Sequence, residues 1–88
     1  MAPTSFAPNS LLVRRRIATY FTGGAAGIPD LVGTLTQQGR MIHELSVDVR
    51  DGVRESSLAC ALLLPDDETD HLLDRLRELP AVVSAELA

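Results

Sequence analysis

The chain has 88 residues, enough for one domain and too few for two. Hydrophobic residues make up 45% of it and charged residues 23%, and the longest apolar run, residues 58–64, is too short to cross a membrane. The net charge of −4 argues against a nucleic-acid partner held by bulk charge. The first residues do not resemble a secretory signal, and the single Cys60 cannot form a disulfide within the chain, so we expect a cytoplasmic protein.

Residues 1–10 are rich in proline and small polar side chains, and we expect them to form a disordered tail before one domain at residues 11–88. Apolar and polar residues then alternate from Leu11 to Phe21, which predicts a strand. Arg14 and Arg16 fall on its polar face. Because no aromatic residues are interleaved with them to stack bases, we expect them to be solvated or to lie at an interface.

A glycine-rich loop, residues 22–27, separates this strand from a helix. Apolar residues recur with helical spacing from Ile28 to Leu35 and form one stripe. Pro29 suits the first helical turn, where its missing N–H would be unpaired in any case. Gly39 is expected to end the helix in the left-handed conformation.

A second alternating segment covers residues 41–50. One face carries Met41, Leu45, Val47 and Val49, and the other carries Glu44, Ser46 and Asp48. The dipeptide Asp51-Gly52 predicts a tight hairpin turn, since both turn positions need positive φ. The return strand, residues 53–64, is apolar on both faces, so we expect it to be central and covered on both sides, with the second strand at an edge.

Pro65 ends the return strand, and an amphipathic helix follows. Its first turn is crowded with carboxylates, which favour the positive end of the helix dipole, at Asp66, Asp67, Glu68 and Asp70. Its inward stripe consists of Leu72, Leu73, Leu76 and Leu79. Pro80 ends the helix, and residues 81–87 form a short last strand. The order βαββαβ predicts an α+β, ferredoxin-like sandwich, an antiparallel sheet with two helices on one face.

Such a sandwich leaves one face of its sheet open. We expect that face to include members of the apolar run at residues 58–64, together with Ala18 and Tyr20. A monomer rarely leaves so much apolar surface in water, which predicts a homodimer or a complex with a larger subunit.

The segments RRRIATYF (residues 14–21), IPDLVGTLTQQG (28–39), IHELSV (42–47) and LLDRLRELPAVVSAEL (72–87) resemble an ACT domain. The resemblance is strongest to the small regulatory subunit of acetolactate synthase, either in its short, single-domain form or as a free-standing ACT protein. It implies a non-catalytic module that pairs side by side and binds an amino acid, or a related small metabolite, at the seam between two chains.

The resemblance also implies where the ligand lies. One chain would contribute the loop and first helical turn, namely Gly23, Gly24, Ala25, Ala26, Gly27 and Ile28. Its partner would contribute the start of the second strand, Met41 and Ile42, with His43 close to the seam. Backbone N–H groups at a helix start suit a carboxylate, and glycine allows a ligand to approach the backbone closely.

Three positions depart from the pattern of acetolactate-synthase-type loops. Gly23 stands where these loops usually have asparagine, Ala26 stands where they have glycine, and Met41 replaces a polar residue. Two side-chain contacts to the charged groups of an amino acid are therefore missing. Either the ligand differs, or backbone groups alone hold it, or the domain acts through protein contacts only.

Two other functions stay open. Ferredoxin-like dimers also host small biosynthetic enzymes, and Asp30, His43 and Glu44 would be the acid–base candidates near the seam. The domain would alternatively serve only for structural dimerisation. We expect no cofactor and no metal, because His43, His71 and Cys60 lie on three separate elements, and residues 22–27 match neither a P-loop nor a dinucleotide fingerprint.

Overall fold

The computed structural model describes residues 11–50 and 54–88. Within these ranges the strands and helices are β1 (Leu12–Phe21), α1 (Ile28–Leu35), β2 (Ile42–Asp48), β3 (Ser56–Pro65), α2 (Thr69–Arg77) and β4 (Val82–Leu87). The predicted βαββαβ order is confirmed. The predicted tail at residues 1–10 and the Asp51-Gly52 hairpin turn lie outside the described residues.

The four strands form one antiparallel sheet in the order β2-β3-β1-β4. β1 pairs with β3 along its whole length, from Leu12 opposite Pro65 to Phe21 opposite Ser56. The predictions that β3 is central and β2 lies at an edge are confirmed. A strand as apolar as β3 belongs in the centre, because both of its neighbours then use its backbone groups.

The core lies between the sheet and the two helices. It contains Ile17 and Phe21 of β1, Leu31 and Leu35 of α1, Leu58, Cys60, Leu62 and Leu64 of β3, Leu72, Leu73 and Leu76 of α2, and Ala85 of β4. Both predicted helical stripes are confirmed. Full burial of each leucine stabilises the fold by about 1.5–3 kcal/mol before chain entropy is subtracted. In the described part of the chain, neither helix is long and apolar enough to cross a membrane.

The first helix is shorter than its pattern suggests. α1 ends at Leu35, and a 3₁₀ turn at Gln37–Gly39 continues the chain. Gly39 has φ 75°, the predicted left-handed conformation, but Gln38 before it also has a positive φ of 63°. Two consecutive left-handed residues reverse the chain and direct it into β2.

The open face of the sheet carries the smaller apolar residues of β3. Residues of β3 at even positions, including all of its leucines except Leu63, point to the helices. The open face receives Ser57, Ala59, Ala61 and Leu63. The expectation that this face includes members of the run at residues 58–64, together with Ala18 and Tyr20, is confirmed, because Ala18 lies opposite Ala59 and Tyr20 opposite Ser57. The expected cover on both sides of β3 is incomplete, because Ala59 is exposed on the open face.

A β-bulge changes the faces of the second strand. The register with β3 shifts between Ile42, which is opposite Leu62, and Glu44, which is opposite Ala61. Ile42 consequently lies on the helix side of the sheet with Leu45 and Val47, whereas Met41 does not. The predicted single face of Met41, Leu45 and Val47 is wrong because one extra residue in a strand inverts the alternation.

Candidate ligand-binding site

A backbone hydrogen bond and a positive φ angle shape the loop after β1. Thr22 donates its N–H to the carbonyl oxygen of Ala81 at 2.8 Å, and this bond anchors the loop to the segment before β4. Gly23 follows with φ 87°, a conformation that residues with a Cβ rarely adopt. A Cβ on Gly27 would lie 3.2 Å from Cδ2 of the Phe21 ring, so the loop packs closely against the core at that point.

The loop leads directly into the start of α1. Gly24–Gly27 form a 3₁₀ turn, Gly27 is the N-cap, and no side chain caps the first N–H groups of the helix. Gly23, Ala25 and Ala26 are exposed. The predicted loop residues therefore form one accessible backbone surface at the start of a helix, a position that is suited to a small anionic group.

The other predicted site residues lie at the opposite end of the sheet. Ile42 is opposite Leu62, and Leu62 is opposite Arg15, six residues before the end of β1 at Phe21. Six strand residues span roughly 20 Å. Within one chain the structure brings residues 23–28 together, and it brings residues 41–43 together, but it does not join the two groups.

The two edges of the sheet differ in how they are protected. On β4, the side chain of Arg77 donates from Nε to the carbonyl oxygen of Ala85 at 2.9 Å. Ala88 donates its N–H to the carbonyl oxygen of Arg16 in β1, and backbone groups of alternate residues along β4 point to opposite sides. The carbonyl of Ala85, three residues earlier, therefore points away from β1 and toward the free edge. Arg77 therefore occupies a group that an added strand would need.

The β2 edge carries exposed apolar side chains, as the β4 edge does at Val83 and Leu87. Leu45 is 48% exposed and Val47 36% exposed, although both lie on the helix side of the sheet, because α1 and α2 do not extend over this edge. Val49, just after the strand, is exposed as well. An edge strand with an apolar stripe is the surface that a further strand covers most favourably.

A cavity of about 360 Å³ lies at the end of the sheet where β1 begins and β3 ends. It is lined by Leu12, Gln38, Gly39, Arg40, Met41, Leu63, Pro65 and Glu68. Of these, only Met41 was predicted as a site residue. The others escaped prediction because they come from four separate segments and share no motif.

Arg40 is the most constrained charged group around this cavity. Its side chain is only 11% exposed, and its Nη1 lies 3.6 Å from Oε1 of Glu68. Burial lowers the pKa of Arg40, and nearby Arg75 lowers it further, while Glu68 acts in the opposite direction. The guanidinium stays charged, since the ordinary pKa of arginine is far above neutral pH.

The acid–base candidates do not converge within one chain. Asp30 lies in the first turn of α1, at the opposite end of the sheet from His43. Glu44 forms ion pairs with Arg14 and Arg16. Cys60 is buried, and burial raises the pKa of its thiol. In residues 11–50 and 54–88, no group of three or more His, Cys, Asp or Glu side chains is placed to hold a metal ion.

Comparison with solved structures identifies the fold. The crystal structure of the ACT domain from GTP pyrophosphokinase of Chlorobium tepidum matches 89% of this chain and 100% of its own, with 15% identity and a TM-score of 0.77. Its solution structure matches with 13% identity over 88% of this chain and 86% of its own, at a TM-score of 0.71.

A third match is the C-terminal domain of the MgtC protein from Mycobacterium tuberculosis. It has 11% identity over 85% of this chain and 84% of its own, at a TM-score of 0.64. No family model and no curated protein matches the sequence. The chain thus has the ferredoxin-like fold of an ACT domain, and at these identities the likeness extends to the fold alone.

Proposed function

We propose that this protein is a non-catalytic regulatory module that binds an amino acid, or a related small metabolite, between two copies of the chain. Fold-level analogy favours this class, because ACT domains are small-molecule-binding regulatory modules. The observation that carries the proposal is the difference between the two sheet edges. Both edges expose apolar side chains, but Arg77 occupies the outward carbonyl of Ala85 on β4, whereas in the described residues no side chain forms such a bond to the backbone of β2.

A two-fold axis beside β2 would bring the two groups of predicted site residues together. Two-fold pairing of identical edge strands is antiparallel, so the start of one β2 lies beside the end of the other. Asp48, at the end of β2, shares a row of the sheet with Ser57 and Tyr20, and Tyr20 immediately precedes the last residue of β1. The partner's residues 41–43 would then approach residues 23–28.

The more specific form of the proposal is a single-domain regulatory subunit of a cytoplasmic biosynthetic enzyme such as acetolactate synthase. The support is the sequence resemblance of residues 14–21, 28–39 and 42–47. A branched-chain amino acid would be the corresponding ligand. Because Gly23 and Met41 provide no polar side chain, the N–H groups of the loop would make the main contacts to its carboxylate.

The pairing is tested with two matched valine substitutions. Val47→Lys places a charge in the β2 edge, and Val83→Lys places one on β4, where Val83 is also exposed. Light scattering should give a dimer for the wild type and for Val83→Lys, and a monomer for Val47→Lys. A wild-type monomer at micromolar concentration, or a dimer lost equally in both variants, would contradict pairing through β2.

Ligand binding and partner choice need separate measurements. Titration calorimetry with leucine, isoleucine and valine should detect binding to the wild type and a loss of seam binding in Val47→Lys. Capture of a purified acetolactate synthase catalytic subunit tests the more specific form. Failure of that capture together with intact amino-acid binding would remove acetolactate synthase and keep the ligand-binding module.

A further inference from the structure

The cavity near the start of β1 has its own charged groups. It lies at the opposite end of the sheet from the glycine-rich loop, since Leu12 and Pro65 on its wall are opposite each other where β1 begins and β3 ends. Its volume of about 360 Å³ falls at the small end of the range of ligand pockets, which suits a molecule of amino-acid size.

Arg40 has hydrogen-bonding capacity left over. Its Nε donates to the carbonyl oxygen of Leu35 at 3.1 Å and its Nη2 to that of Thr34 at 3.2 Å. These two bonds fix the guanidinium against the end of α1. A guanidinium has five N–H groups, and in the described part of the chain no hydrogen bond reaches the two on Nη1. A buried cation with unused donors favours a carboxylate.

Glu68 determines which kind of carboxylate ligand fits beside Arg40, a simple anion or a zwitterion. Its Oε1 lies 3.6 Å from Nη1 of Arg40, close enough for attraction but too far for a good hydrogen bond. A simple anion placed beside Arg40 would be repelled by Glu68. A zwitterion would satisfy both residues, with its carboxylate at Arg40 and its ammonium at Glu68, and it would leave the cavity electrically neutral.

The remaining walls fit an apolar side chain. Leu12, Met41, Leu63 and Pro65 surround the cavity, and Met41 is 70% exposed. Gln38 forms part of the rim in a left-handed conformation that residues other than glycine seldom adopt. Such local strain is concentrated at functional sites.

We propose that this cavity is a second ligand site, contained within one chain, that binds a small zwitterion with an apolar side chain beside the pair of Arg40 and Glu68. The site goes beyond the proposed function, because it needs no partner chain and shares only Met41 with the seam. One chain would therefore bind this ligand whether or not two chains pair.

The test uses the full chain and three probes of matched shape. L-Leucine has both charges, 4-methylpentanoate lacks the ammonium group, and 3-methylbutylamine lacks the carboxylate. Amide NMR should show that leucine shifts the signals of Gly39, Met41 and Leu63 more strongly than either analogue does. The same shifts should persist in the Val47→Lys variant, whereas seam binding at residues 23–28 should not.

Two variants assign the roles of the residues. Glu68→Gln should weaken leucine binding about tenfold and leave 4-methylpentanoate binding unchanged or stronger, because one charge contact is lost and one repulsion is removed. Leu12→Trp should fill the cavity and abolish leucine binding, while Leu11→Trp, next to the cavity wall, should retain it.

Three results would overturn the second site. The first is the absence of leucine-induced shifts at Gly39, Met41 and Leu63 at millimolar concentration. The second is a set of shifts confined to residues 23–28, which would leave the seam proposal standing. The third is equal leucine affinity in the wild type and in folded Glu68→Gln, as judged by thermal melting.

Discussion

Arg16 of β1 and Glu44 of β2 form an ion pair across β3, the strand that lies between them. Nη1 of Arg16 lies 2.9 Å from Oε1 of Glu44, although β1 and β2 are both neighbours of β3 and not of each other. Both residues are opposite Ala61 of β3, and Arg14 adds a second ion pair to Glu44 at 3.3 Å. Ala61 is fully buried for this reason, whereas Ala59 on the same face is exposed.

Ala61 is therefore expected to tolerate only a small side chain. Ala61→Leu should lower the free energy of unfolding by about 1–3 kcal/mol, because its larger side chain would displace the Arg16–Glu44 contact and crowd the sheet. Ala59→Leu, on the uncovered part of the same strand, should change it by less than about 0.5 kcal/mol. Urea denaturation measures both. Equal losses in the two variants would show that the ion pairs do not restrict position 61.

Arg77 is expected to keep the β4 edge from pairing. Arg77→Met keeps the aliphatic part of the side chain but removes the donor to Ala85, so chains should associate beyond the dimer through β4. Asp74→Asn is the matched control, since it removes the ion pair of Arg77 with Asp74 and leaves the bond to Ala85. Light scattering over a concentration series separates the two variants. If Arg77→Met stays at the wild-type mass, the side chain is not what protects this edge.

Gly23 offers a gain-of-function test of the seam. Gly23→Ala should cost about 1 kcal/mol of stability, because φ is 87° and a Cβ there meets nothing within 4 Å, so that only backbone strain contributes. Gly23→Asn should cost less, since asparagine tolerates this conformation.

The asparagine side chain would also restore the polar group that acetolactate-synthase-type loops usually carry at this position. Gly23→Asn should therefore bind branched-chain amino acids more tightly than the wild type in calorimetry, and Gly23→Ala should not. Equal affinities for the two variants would place the ligand elsewhere.

Cys60 should make stability decrease in alkaline solution. Its pKa is raised in the folded state by burial, so above its ordinary pKa the unfolded chain loses the thiol proton while the folded chain keeps it. The unfolded state then binds fewer protons, and the free energy of unfolding falls as pH rises. Urea denaturation from about pH 7 to about pH 10 should show a steeper fall for the wild type than for Cys60→Ala. Parallel curves would mean that the folded thiol ionises normally.

Much of the fold follows from local patterns. The helical stripes at residues 28–35 and 72–76 were predictable because a helix must turn one face to the core every 3.6 residues. The central place of β3 was predictable from its many apolar residues. The position of Met41 was not, since a bulge depends on how β2 meets β3 and leaves no signature in the alternation of residues 41–50.

One of the two candidate sites could be predicted from the sequence and the other could not. The glycine-rich loop was visible in the sequence, because positive φ and close packing require particular residue types. The pair of Arg40 and Glu68 was not visible, since 28 positions separate the two residues and no motif links them.

The elements and their order could be predicted from the residues alone, because hydrophobic periodicity and turn chemistry act between near neighbours in the chain. The folded molecule was needed to show which sheet edge Arg77 closes, which alanine the arginines cover and where a cavity remains. These features arise between segments that the fold brings together, and their geometry depends on register and packing across the whole sheet.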